Sequence, residues 1–194
     1  MPTAIRAWPV SWPEAFAARY EEWSPAIERG FEQTTVAQIA KRAGLTERTF
    51  FRYFPDKREV LFAGAGSLQD FLVGTLARAP DSAAPIDAVA SALQAAGALL
   101  QERREYSRQR QAVIVANAEL RECELIKLAS LGSAMAEVLR RRGVRDPAAS
   151  LTAEAGMAVF RIAFERWISE SGQRDLPQCI RESLGELKAV TAGK

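Results

Sequence analysis

The chain is expected to fold as an all-α protein. Apolar residues recur at three- and four-residue spacing in most segments, no stretch sustains the alternating β-branched pattern of a strand, and several helix starts carry capping signals. With 194 residues, 48% of them hydrophobic, it can bury the core of one large domain or two small ones. The formal net charge of +2 is too weak to indicate a polyanionic partner, so only local clustering of charge bears on that question. The absence of histidine removes Ser-His-Asp and Cys-His catalysis and every imidazole metal site. Acids do not cluster on a shared helix face either, so no enzyme activity, metal or cofactor is expected.

Two cysteines, Cys123 and Cys179, are too far apart for a CxxC motif and are read as reduced core or interface thiols. The N-terminal "MPTAIRAWPVSWPEAF" is broken by Arg6, three prolines and Glu14, which leaves no signal-peptide core. No run of about 18 apolar residues follows, so no membrane span and a cytoplasmic location are expected.

Three short helices are expected over roughly 13–53. The first starts at a Ser11 to Glu14 capping box, carries Phe16, Tyr20 and Trp23 as an apolar stripe, and is interrupted by Pro25. Thr35 and Gln38 form a second T-x-x-Q box before Val36, Ile39, Ala40 and Ala43. Gly44 then stands where a chain leaves a helix with positive φ, and Thr46 can cap a third helix running to about Phe54. Pro55 ends it, and Asp56 with Glu59 opens a longer helix to about Arg78, stopped by "APDSAAP". Further helices are expected near 86–103, 105–116, 119–142, 147–171 and 176–190, with breaks at "RRRGVRDP" and "SGQRDLP". The expected organisation is a helix-turn-helix domain over 1–55, a connecting helix over 56–78 and a helical domain over 79–194.

The stretch "TERTFFRYFPDK", residues 46–57, crowds rings and cations together. Helical spacing separates them: Phe50 and Phe54 share a face, expected to meet Ile39 and Leu61 in a small core, while Glu47, Arg48, Arg52 and Thr49 fall on the other side. A helix of about eight residues is only about 12 Å long, so large rings anchor it efficiently while its other face stays free. Between Lys41 and Arg58 stand six cations, Lys41, Arg42, Arg48, Arg52, Lys57 and Arg58, against Glu47 and Asp56, with Glu59 one residue beyond. That local excess is the electrostatic footprint of a nucleic-acid surface, which the whole-chain charge hides.

The stretch "GFEQTTVAQIAKRAGLTERTFFRYFPDKREVLF", residues 30–62, resembles the DNA-binding region of the tetracycline-repressor-like (TetR) family of bacterial transcription regulators. The resemblance implies that the second helix of the motif enters the major groove of double-stranded operator DNA. Carried over position by position, it makes Thr46, Glu47, Arg48, Thr49 and Arg52 candidates for base or nearby phosphate contacts, and Thr35, Tyr53 and Lys57 candidates for backbone phosphates. Two positions depart from the family's pattern. Phe51, without a hydroxyl, stands where a phosphate-binding tyrosine is common, and Pro25 interrupts a helix that the family runs straight into a pattern like "LFxERGF".

Residues 80–194 show no catalytic constellation. Their helix number, lengths and order resemble a TetR-type ligand-binding and dimerisation domain, which implies a small-molecule effector and a homodimer. "LTAEAGMAVFRIAFERW" puts Leu151, Ala155, Ala158 and Ile162 on one side of a helix and Ala153, Gly156, Phe160, Ala163 and Trp167 on an adjoining one, an apolar arc wide enough for two partners. Leu176, Ile180, Leu184 and Leu187 form a seam suited to bundle packing. In the family these last two helices pair with their symmetry mates as a four-helix bundle. Phe71, Tyr106, Met135, Met157, Phe160 and Phe164 are candidate pocket residues, though such side chains at helical spacing also make ordinary core. Arg110 is a candidate anchor for an acidic ligand. "RRR" at 140–142 complements the dipole at a helix end. The function these readings imply is a ligand-responsive transcriptional regulator, a repressor that binds a near-palindromic operator as a homodimer. The alternative is a helical small-molecule-binding protein with weakened or lost DNA binding.

Overall fold

The computed structural model describes residues 30–169 and 174–193, and the expectations for the Ser11 box, the helix after it and Pro25 lie outside them. Among the described residues there are helices and turns and no strand. The chain divides into two compact units, Met1–Leu61 and Phe62–Lys194.

In the first unit, α1 (Val36–Arg42) starts at the expected box: Thr35 Oγ1 accepts from Gln38 N at 3.2 Å and Gln38 Oε1 accepts from Thr35 N at 2.9 Å. Gly44, at φ +66, closes it, with Leu45 N donating to Ala40 O and Gly44 N to Lys41 O. That double closure needs the left-handed backbone, which glycine adopts without a Cβ clash. Thr46 then caps α2 (Glu47–Tyr53) through Thr49 N. Phe50, Phe54, Ile39 and Leu61 are all buried, and the Phe50 and Phe54 rings lie 5.2 Å apart.

The expected helix from Asp56 to Arg78 is divided. Asp56 Oδ1 accepts from Arg58 N and Glu59 N, but what it caps is a short 3-10 turn, Arg58–Val60. The α-helix, α3 (Ala65–Ala77), starts only after a turn containing Gly64. Gly64, the residue just before α3, accords with the delay, since a glycine costs a helix about 1 kcal/mol relative to alanine. The division between the two units therefore falls inside the segment expected to be one connecting helix. Arg58–Ala77 has a mean hydropathy of 1.4, enough by length and composition for a membrane span. Its α-helical part is 13 residues, about 20 Å, short of the about 30 Å of bilayer hydrocarbon, and Leu72 and Leu76 are buried in the core.

The second unit continues with α4 (Pro85–Gln101), α5 (Arg104–Ala116), α6 (Ala118–Arg141), α7 (Ala148–Ser169) and α8 (Leu176–Thr191). Helix α4 packs against α3, α7 and α8, and its buried side is built from small residues, Ala88, Ala92, Ala96 and Gly97, with Val89 and Leu93. Small side chains let neighbours come close. A Cβ on Gly156 of α7 would overlap Val89 Cγ1, so a larger residue at that crossing forces Val89 to shift. Of the two apolar sides of α7, Ala153, Gly156, Phe160, Ala163 and Trp167 are buried, whereas Leu151 and Ile162 are 66% and 48% exposed. The α8 seam is used within the chain: Leu176, Ile180 and Leu184 are buried, and Ile180 and Leu176 close on Gly97 of α4.

Candidate nucleic-acid interface

Helix α2 separates its residues as its spacing requires. Phe50 is fully buried, while Glu47, Arg48 and Arg52 are exposed and Thr49 half-buried. The Thr46 and Thr49 hydroxyls lie 2.9 Å apart, so the two threonines act as one polar patch at the start of the helix. Arg52 Nη2 donates to the Tyr53 hydroxyl at 2.8 Å, and its guanidinium stands 4.8 Å from the centre of the Tyr53 ring. Tyr53 thereby bears on where Arg52 points. Phe51 is 52% exposed, and its edge meets Phe50 at 5.5 Å.

Thr35 is exposed and occupied by its capping box. Lys57 is placed differently from the arginines. Its ammonium donates to the carbonyls of Phe31, Glu32 and Thr34 at 3.1, 3.3 and 3.4 Å and lies 4.6 Å from the centre of the Phe31 ring. Those three carbonyls engage all the donors an ammonium has, so in the free protein Lys57 organises the turn that leads into Thr35. Sequence spacing gave no sign of this, because the partners lie more than twenty residues upstream. Arg58 donates to Asp56 Oδ2 through Nη2 at 2.6 Å and Nε at 3.1 Å, and this hydrogen bonding holds the Asp56 carboxyl below its ordinary pKa.

The candidate ligand residues fall into two groups. Met135, Met157 and Phe160 belong to the buried core of the second unit, with Phe71 and Phe164 packed against it. Phe160 and Phe164 stack at 6.0 Å, and Phe164 meets Trp167 at 5.6 Å. Tyr106 and Arg110 are half-buried on α5. The Arg110 side chain, 19% exposed, pairs with Glu124 of α6 at 3.3 Å, and Gln111 Nε2 donates to the other oxygen of that carboxylate at 3.0 Å. Thr75 Oγ1, Gln111 Oε1, Trp167 Nε1 and Ser183 Oγ are buried without a hydrogen-bond partner among the described residues. Of the three arginines at 140–142, Arg142 ties two helices together, its guanidinium donating to the carbonyls of Ala77, Ala79 and Pro80 at and beyond the end of α3. Among the described residues no cluster of three or more metal-ligating side chains occurs.

Comparison with known proteins covers both units. Residues 26–63 match the family described as "Bacterial regulatory proteins, tetR family", and residues 83–192 match the "MftR C-terminal domain" of the TetR C-terminal group. A 69-residue stretch is 33% identical to the HTH-type transcriptional regulator TcmR of Streptomyces glaucescens, covering 36% of this chain and 30% of that relative. The fold is similar to that of Thermus thermophilus FadR, a TetR-family repressor solved with lauroyl-CoA, with TM-score 0.56 and 22% identity over 90% of this chain and 92% of that one. It is also similar to SmeT, repressor of the Stenotrophomonas maltophilia efflux pump SmeDEF, with TM-score 0.60 and 19% identity over 94% and 91%. Bacillus subtilis FadR, solved with stearoyl-CoA, aligns with TM-score 0.59 and 18% identity over 93% and 98%.

Proposed function

The chain belongs to the TetR family of bacterial transcription regulators, non-enzymatic DNA-binding proteins, and from that premise we propose that it is a ligand-responsive repressor that binds a near-palindromic operator as a homodimer. The observation that carries the proposal is the division of α2, with Phe50 holding the helix by its ring and Arg48 and Arg52 left outside. In the major groove an arginine meets guanine O6 and N7 bidentately. Thr46, Glu47, Thr49 and the tyrosine-held Arg52 complete the reading face, while Thr35 and Tyr53 lie with the phosphates, where backbone amides and hydroxyls set register without carrying sequence, and Lys57 reaches a phosphate by releasing a carbonyl of the Phe31–Thr34 turn.

Dimerisation is supported by α7. Leu151 and Ile162 stand exposed, with Ala155 and Ala158 half-buried between them. A C2 partner presenting the same strip covers it, which is the self-complementary contact such symmetry requires. The effector is an apolar molecule carrying an acidic group, its body against Phe71, Tyr106, Met135, Met157, Phe160 and Phe164 and its acid towards Arg110. The protein acts in the cytoplasm, where its operator is.

The test is a mobility shift of the full chain on duplex DNA from immediately upstream of its own coding sequence. A retarded band lost on Arg48→Ala supports the repressor reading. If the wild type and Arg48→Ala both fail to retard that duplex while a small molecule raises the melting temperature, the chain is instead a helical ligand-binding protein that has lost DNA binding, a reading to which the missing hydroxyl at Phe51 lends support.

A further inference from the structure

Arg48 and Arg52 stand one helical turn apart on the outer side of α2, both exposed. Their surroundings differ. The Arg52 guanidinium is held at two points by the next residue: Nη2 donates to the Tyr53 hydroxyl at 2.8 Å, and the guanidinium carbon lies 4.8 Å from the centre of the Tyr53 ring. Adjacent residues on a helix point about 100° apart, so this contact requires the long arginine stem to turn back over the ring. Arg48 makes no hydrogen bond, ion pair or ring contact among the described residues. One arginine of the reading face is thus fixed by a neighbour, and the other extends into solvent.

We propose that Tyr53 is a positioning residue for Arg52, so that the two arginines read DNA differently: Arg52 from a preset direction, Arg48 by adapting to what it meets. The inference rests on the regulator reading above and deepens it. A long side chain that is immobilised on binding loses rotamer freedom at that moment, whereas one already held has lost it beforehand. Arg52 keeps the donors that reading needs, because one of its five N–H groups goes to Tyr53 and four remain for the two-bond fork on guanine O6 and N7. A phenolic oxygen can accept from a guanidinium and donate its own proton to a phosphate, so the phosphate role given to Tyr53 above stands beside this one. A held guanidinium also rejects more than a mobile one. To reach another acceptor when the base pair is wrong, Arg52 has to give up the hydroxyl and the ring together. The base pair under Arg52 is therefore the more strictly required of the two.

The test titrates the full chain against the upstream duplex and its single base-pair variants, using Tyr53→Phe to remove the hydroxyl and Tyr53→Leu to remove the ring as well. The base pair read by Arg52 is the one at which Arg52→Ala loses its preference. There Tyr53→Phe is expected to lower discrimination by about two- to tenfold, and Tyr53→Leu by more, while the pair read by Arg48 keeps its preference. In an Arg52→Ala background, Tyr53→Phe should weaken every duplex alike. In the free chain, nuclear magnetic resonance should show the Arg52 side-chain signals shifted by the ring in the wild type and in Tyr53→Phe, but not in Tyr53→Leu. A Tyr53→Phe variant that weakens every duplex equally, with base preference intact, overturns the proposal, since Tyr53 then holds a phosphate only. Arg52 signals that do not change on Tyr53→Leu overturn it without reference to DNA, as does an Arg52→Ala variant that keeps every preference. A wild type that binds no upstream duplex marks the failure of the regulator reading, and the proposal falls with it.

Discussion

Helices α2 and α7 each carry a face that stands exposed among the described residues, and the chemistry of those faces is opposite. On α2 the buried side is aromatic and the outer side carries Arg48 and Arg52. On α7 the buried side is built from small residues with Phe160 and Trp167, and the outer side carries Leu151 and Ile162. An exposed charge costs nothing in water and waits for a phosphate or a base, whereas an exposed apolar strip gains by being covered. Under the function proposed above, the α2 face meets a nucleic acid and the α7 face a second copy of the chain.

The comparison breaks most completely where the anchor of one face is removed and the other is left alone. Phe50→Ala deletes the fully buried ring beneath α2 and should cost about 3–5 kcal/mol. Loss of all DNA binding with an unchanged sedimentation profile is the expected outcome. Beneath α7, Gly156→Ala forces a Cβ onto Val89 Cγ1, and overpacking of that kind costs about 1–3 kcal/mol. Calorimetry should show a lower melting temperature for the second unit.

Substituting the outer face of α7 sharpens the contrast, because it should weaken assembly without weakening the fold. Leu151→Glu and Ile162→Glu lie on exposed positions, where surface changes stay within about 0.5 kcal/mol. Burying either charge in a dimer should instead raise the dimer dissociation constant by about tenfold or more, measured by sedimentation equilibrium. Leu184→Glu is a poor substitute for them, since Leu184 is buried within its own chain.

The smallest expected effect is at Asp56. Its carboxyl is held below the ordinary value chiefly by the side-chain hydrogen bond from Arg58, so its contribution to stability is present above the ordinary carboxylate pKa and disappears as pH falls through the lowered one. The pair is partly exposed, so the contribution is small. Asp56→Asn should slightly lower melting near neutral pH and flatten the acid limb of the melting curve.

What could be read from sequence was local. The Thr35 box, the Gly44 turn and the Thr46 cap are each set by residues within a few positions of one another, and each stands as expected. The two sides of α7 were legible for the same reason, since helical spacing alone defines them. The partner of an apolar stripe is not written in the stripe. The α8 seam reads as bundle packing without saying which helix it meets, and within the chain the small residues of α4 bring that helix onto Leu176 and Ile180. The role of Lys57 in the free protein was illegible because its partners lie far off in sequence, at Phe31, Glu32 and Thr34. The late start of α3 reflects two competing local signals, in which the helix-weakening Gly64 prevails over the Asp56 box and confines it to a single turn.

The claim that the outer face of α2 reads sequence while other contacts only hold the backbone is tested most directly by one measurement. Wild type, Arg48→Ala and Arg52→Ala are titrated against the upstream duplex and against a set of duplexes carrying single base-pair changes. Each arginine variant is expected to lose about 1–3 kcal/mol of discrimination at particular base pairs, with its sedimentation unchanged. A uniform loss of affinity across all the duplexes, with base preference intact in both variants, would contradict it.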